Sequence, residues 1–131
     1  MATWSEFTQY VRSNYKIIEE VPDKMVSMGF GLEGGRTQLV FLWRQTLMGG
    51  TEEWVQVESP IGELTPDKVV AAVKAVGNTV VGGIGSAGDV ITYRHALPLA
   101  NLDSNEFERP LRLVTTTADK LEKDIFGKDE F

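Results

Sequence analysis

The clearest pattern in the chain is an alternation. Val26, Met28, Phe30 and Leu32 alternate with Ser27, Gly29, Gly31 and Glu33, the period of two expected of a strand with one buried face. Gly34-Gly35 follows as a two-residue turn, and Arg36 to Leu47 reads as the return strand of a hairpin. With only Gly34 and Gly35 in the loop, Glu33 faces Arg36, Phe30 faces Leu39 and Met28 faces Phe41. That register sets Leu39, Phe41 and Trp43 on the core side and turns Val40 and Leu42 outward, opposite Gly29 and Ser27. The run Leu39-Val40-Phe41-Leu42-Trp43 is then apolar on both faces, where a strand covered on one face should alternate. Burying Val40 and Leu42 is worth roughly 1.5–3 kcal/mol each. Either another part of the chain, or a second subunit or partner, is expected to cover them.

Helical periods flank these strands. Thr3-Trp4-Ser5-Glu6 has the form of a capping box, and Trp4, Phe7 and Val11 share one face of a helix ending near Asn14. Tyr15 to Val21 reads as a short strand closed by Pro22-Asp23. Beyond a turn at Gly49-Gly50, Trp54 to Ser59 is a further strand. Val55 and Val57 lie on one side of it, with Trp54, Gln56 and Glu58 on the other; the loop leaves open which side joins the core. Thr65-Pro66-Asp67 starts a second helix, striped by Val69, Val70, Val73 and Val76 and ended by Gly77. Thr79 to Ile84 and Val90 to Leu97 read as strands joined through Gly85 to Asp89. Asp103 and Glu106 can cap a last helix on which Phe107, Leu111, Val114, Ala118, Leu121 and Ile125 form one seam. Pro110 predicts a later start or a kink. Lys128 to Phe131 reads as a frayed tail. The order α-β-β-β-β-α-β-β-α, without repeat or linker, predicts a single α+β domain over residues 1–131, an antiparallel sheet with helices packed on it.

Composition narrows the chemistry. The chain has 131 residues, no cysteine and one histidine, with 13 basic against 19 acidic residues and a net charge of −6. Without Cys there is no disulfide or thiolate site, and the lone His95 excludes a His-rich metal centre. The acidic balance argues against binding a phosphate backbone. No secretory signal and no stretch long enough to span a bilayer is visible, so a cytoplasmic protein is expected. No cofactor or metal is called for.

Two G-x-G-x-x-G matches, Gly29 to Gly34 and Gly83 to Gly88, lack the following helix whose N-terminus would hold a pyrophosphate. They read as glycines of turns and bulges. His95 has no nucleophile elbow or spaced acid to select it for catalysis. The pairs Glu19-Glu20, Glu52-Glu53 and Asp129-Glu130 read as solvated surface.

Asp89-Val90-Ile91-Thr92-Tyr93-Arg94-His95-Ala96-Leu97-Pro98-Leu99, followed by the capped helix with Ala118-Asp119-Lys120-Leu121, resembles the strand-Leu-Pro-helix ending of the YbjN family. Arg36 to Phe41 and Ser59-Pro60-Ile61 resemble its central hairpin, and the overall order is similar to the type III secretion chaperone fold. The resemblance covers most of residues 3–126. It implies a small acidic protein, often dimeric, that binds a partner polypeptide across apolar patches.

The resulting expectation is a non-enzymatic, chaperone-like or YbjN-like protein-binding module that forms a homodimer. Val40, Leu42, Val55, Val57, Val69 and Val73 are its candidate partner or dimer contacts; the valine stripe reads equally as core. Two alternatives stand beside it. One is a small-molecule-binding or enzymatic domain using the Gly83–Gly88 loop and His95. The other is an immunity or inhibitor protein directed at a basic toxin.

Overall fold

The computed structural model describes residues 1–131. Its elements are α1 (Trp4–Asn14), β1 (Ile17–Val21), β2 (Met25–Gly31), β3 (Thr37–Leu47), β4 (Glu52–Glu63), α2 (Pro66–Val76), β5 (Gly83–Ala87), β6 (Val90–Pro98) and α3 (Ser104–Leu121). The predicted order is the observed one. All six strands form one antiparallel sheet in the order β1-β2-β3-β4-β6-β5, so the fold is α+β.

The helices start where local chemistry says they should. The Thr3 hydroxyl accepts the Glu6 N–H at 3.1 Å, and Asp103 and Glu106 cap each other's backbone in a complete capping box. With that cap in place α3 begins at Ser104 and runs through Pro110. The carbonyl that Pro110 leaves without a donor belongs to Glu106, a solvent-exposed residue, so water can satisfy it. The last turn of α3 widens into a π-helical turn over Glu122–Phe126 and closes at Gly127 in the left-handed conformation.

Trp4, Phe7 and Val11 of α1 and Phe107, Leu111, Val114 and Ala118 of α3 join one face of the sheet in a single core. The sheet contributes Val26, Met28, Val40, Leu42, Val55, Val57, Ile91 and Tyr93. The β2–β3 register therefore differs from the one expected. Met28 pairs with Val40, Val26 with Leu42 and Ser27 with Phe41. The loop has three residues, Glu33–Gly35, with Gly34 and Gly35 both at positive φ, and Leu32 donates its N–H to the Arg36 carbonyl across it. One extra loop residue shifts the pairing by one and exchanges the faces of the return strand. Val40 and Leu42 are core; Leu39, Phe41 and Trp43 lie on the opposite face of the sheet.

β4 settles the question its loop left open: Val55 and Val57 are buried in the core, and Trp54, Gln56 and Glu58 face the other way. Its second half holds an irregularity. Pro60 lies across from Leu39 in the continued register but has no N–H to donate. The Ser59 hydroxyl donates to the Leu39 carbonyl instead, at 2.6 Å, and the Gln38 amide donates to the Ser59 hydroxyl at 2.7 Å and to the Pro60 carbonyl at 2.8 Å. Side chains replace the missing backbone bond.

Two further expectations are corrected. The strand expected over Thr79–Ile84 begins only at Gly83. Gly82, at φ +90°, passes so close to the Tyr93 ring that a Cβ would come within 2.7 Å of it, which bends the chain before the strand starts. The expected frayed tail is instead fastened to the body of the protein, as described next.

Candidate functional site

The face of the sheet opposite the helices carries the site. Leu39, Phe41 and Trp43 line up on β3, half-buried, with Pro60 on β4 and Val90 on β6 beside them. Phe41 and Trp43 stack with ring centroids 6.0 Å apart. Trp43 is fixed by its indole N–H, which donates to Glu58 at 2.9 Å. Glu58, 5% exposed, also accepts from the Thr92 hydroxyl at 2.9 Å and from the Arg94 guanidinium. A nearly buried carboxylate with three donors is satisfied, and it locks β3, β4 and β6 together beneath the apolar strip.

Residues 128–131 cross to this face. Three residues, Glu122, Thr37 and Arg36, hold them. The Glu130 and Phe131 N–H groups donate to the Glu122 carboxylate at 2.7 and 3.2 Å. The Thr37 N–H donates to Asp129 at 3.2 Å, and the Thr37 hydroxyl to the Phe131 carbonyl at 3.3 Å. Arg36 donates to the Lys128 carbonyl and to Asp119, each at 2.8 Å. Phe131 then borders two clefts. One of about 250 Å³ is lined by Leu39, Phe41, Trp43, Pro60 and Val90; one of about 360 Å³ is lined by Ile18, Gly29, Thr37 and Leu39. Leu39 and Phe131 border both.

Electrostatics explain the anchor. Glu122 is 1% exposed, and this burial is the main reason its pKa is raised; the two backbone donors and Arg36 oppose the shift, and Asp129 adds to it. Asp119, Glu122 and Asp129 bring carboxylate oxygens within 4.8 Å of one another. That spacing would suit a cation, but the Arg36 guanidinium already sits among them, 3.9 Å from both Glu122 and Asp129. The cluster reads as the socket of an arginine.

The residues expected to make contact divide sharply. Val40, Leu42, Val55 and Val57 are wholly buried, so they hold the fold and offer no surface. Val69 packs half-buried against the core. Val73 is exposed at 57%, beside Val70 at 54% on the outer side of α2. Beyond α2, Val80 is 99% exposed and borders a cleft of about 470 Å³ with Leu113, Ala75 and Leu121.

The chemistry suggested for the second glycine motif is not assembled. Gly83 to Gly88 forms β5 and the first residue of its turn to β6, with no helix behind it. A Cβ at Gly85 would come within 2.6 Å of the Arg94 guanidinium, so a larger residue there would have to shift that side chain. His95 lies across from Val57, with its pKa lowered by desolvation. It lines none of the five main clefts of the surface, and no nucleophile or acid is hydrogen-bonded to it. A further cleft of about 310 Å³ is walled by Tyr15, Phe30, Glu108 and Arg112.

Sequence reasoning missed Leu39, Phe41, Trp43, Glu58, Glu122 and Phe131 as site residues. The available signal was the doubly apolar run itself; a hairpin loop counted as three residues would have identified its outward half. No helix is long and apolar enough to cross a membrane. Comparison with known protein families and with curated proteins finds no match to this chain.

Proposed function

We propose that this protein is a non-enzymatic polypeptide-binding module, chaperone-like in the manner the YbjN resemblance implies, acting in the cytoplasm. The observation that carries the reading is the helix-free face of the sheet: an ordered apolar strip of Leu39, Phe41 and Trp43 flanked by two clefts. Rigid aromatic side chains on regular strands, with Trp43 held in place by Glu58, are the anatomy of a protein-binding hot spot. The net charge of −6 helps keep such a surface soluble. The test is crosslinking with a photoreactive amino acid at position 45, next to the strip. A discrete polypeptide adduct that is lost in Phe41→Glu and kept in Val70→Glu supports the reading. Adducts indifferent to Phe41→Glu refute it.

A second surface supports self-association. Val70 and Val73 are exposed one helical turn apart on α2, and only Ala72 of that helix is fully buried. A homodimer joined through α2 would cover them and leave the strip free.

A further inference from the structure

Resting on the polypeptide-binding reading, we infer that residues 128–131 are a resident occupant of the binding trough. The partner they stand in for is a short segment with an acidic residue two positions before an aromatic one.

The geometry of the trough is the first support. The two clefts share two lining residues, Leu39 and Phe131. Both clefts lie along the outer face of β3, which supplies Leu39 to each and Phe41 and Trp43 to the second. Phe131 therefore borders apolar space on two sides that it does not itself fill.

The second support is how the segment is held. Its contacts are the ones a bound peptide makes with a receptor: backbone N–H groups of Glu130 and Phe131 to a buried carboxylate, a backbone carbonyl to Arg36, and the Asp129 carboxylate on the Thr37 N–H. Only two side chains of the segment are read. Asp129 meets a backbone donor at the start of β3, and Phe131 enters the trough. Glu130 and Lys128 pair with each other in solvent at 3.2 Å, both more than half exposed. The recognised pattern is thus acid, any residue, aromatic.

The third support is the site beneath. Pro60 interrupts the backbone ladder opposite Leu39, so the floor there is held by the Ser59 and Gln38 side chains. Gly127 in the left-handed conformation, directly before the segment, provides a joint about which it can leave while α3 stays in place. An intramolecular occupant competes at the high effective concentration of a short tether. A partner carrying the same pattern must outbid it or extend into both clefts.

The experiment uses a synthetic peptide, acetyl-Gly-Lys-Asp-Glu-Phe-amide, titrated into isotope-labelled protein and followed by amide chemical shifts. The intact chain should bind it weakly. The chain lacking residues 128–131, and separately the full-length Phe131→Ala chain, should bind at least tenfold more tightly, with shifts at Leu39, Phe41 and Val90. The Phe131→Ala chain keeps residues 128–130 on Arg36, Thr37 and Glu122 and frees only the apolar trough, so it answers the question for the aromatic residue if the shortened chain fails to fold. A peptide with Ala in place of Phe should not bind either variant. Equal affinity for the intact chain and the folded variants, or shifts confined to other surfaces, overturns the inference. If that happens while a crosslinked polypeptide is still lost in Phe41→Glu, the polypeptide-binding reading survives and only the resident-occupant inference falls.

Discussion

Met28 lies directly across from Val40, both of them buried beneath the helices, while the next residue along, Phe41, pairs with Ser27 on the open side. The two faces of one strand thus have different duties. Leu42→Ala, which opens a cavity in the core, is expected to cost about 2–5 kcal/mol. Leu39→Ala removes a half-buried side chain from the other face and should cost clearly less. Urea midpoints of the two variants measure the difference, and the reverse ranking would mean that the register is wrong.

Gly62 tests the packing of the widened turn after α3. A Cβ at Gly62 would come within 2.4 Å of the Phe126 ring, which also carries the Lys68 ammonium 5.3 Å from its centroid. Gly62→Ala must push that ring aside and should destabilise by about 1–3 kcal/mol. Gly31→Ala, with open space where its Cβ would go, serves as the control and should shift the melting temperature little.

Glu122 gives stability a pH dependence of known sign. Its folded pKa lies above the ordinary 4.5 because burial disfavours the charged form. The folded state therefore holds this proton more tightly than the unfolded chain does. The contribution is fully present below the unfolded value and is lost as pH rises through the folded one. Arg36, Asp119 and Asp129 face the group and are present in both proteins, so the difference between wild type and Glu122→Gln isolates the Glu122 contribution. Wild type should lose stability relative to Glu122→Gln as pH climbs from 4.5 towards neutrality. Parallel curves across that range would contradict the burial of this carboxylate.

The α2 surface makes a prediction about mass. If the exposed Val70 and Val73 are joined in a homodimer, light scattering should give twice the chain mass of 14.5 kDa at micromolar concentration. Val73→Lys should return it to one chain mass without loss of helicity, because Val73 is more than half exposed in its own fold. A wild-type protein monomeric up to millimolar concentration removes this surface from consideration.

Most of the architecture was legible because each signal was local. Capping residues placed α1 and α3, Thr65-Pro66 placed α2, and period-two alternation placed β2. The face of β3 was not legible. Two glycines fit a two-residue or a three-residue loop equally well, and a run apolar at every position offers the hydrophobic pattern no way to choose between registers. Glu122 and the last four residues were missed for a different reason. Their partners, Arg36 and Thr37, are 86 or more residues away in sequence for the closest pair of such contacts, Glu122 with Arg36 (122 − 36 = 86). A carboxylate one step from a helical seam looks solvated until the chain returns to cover it.

The proline that interrupts the β3–β4 ladder also decides where the sheet can be unfastened. From Phe41 and Glu58 outward the two strands are laced by consecutive backbone pairs to the hairpin tip. At Leu39 and Pro60 the fastening passes to a serine and a glutamine side chain. Amide exchange should therefore report its earliest openings at that end of the strand pair. The protein carries its own seam, stitched where the trough is deepest in apolar residues, and it can loosen there without unravelling the rest of the cloth.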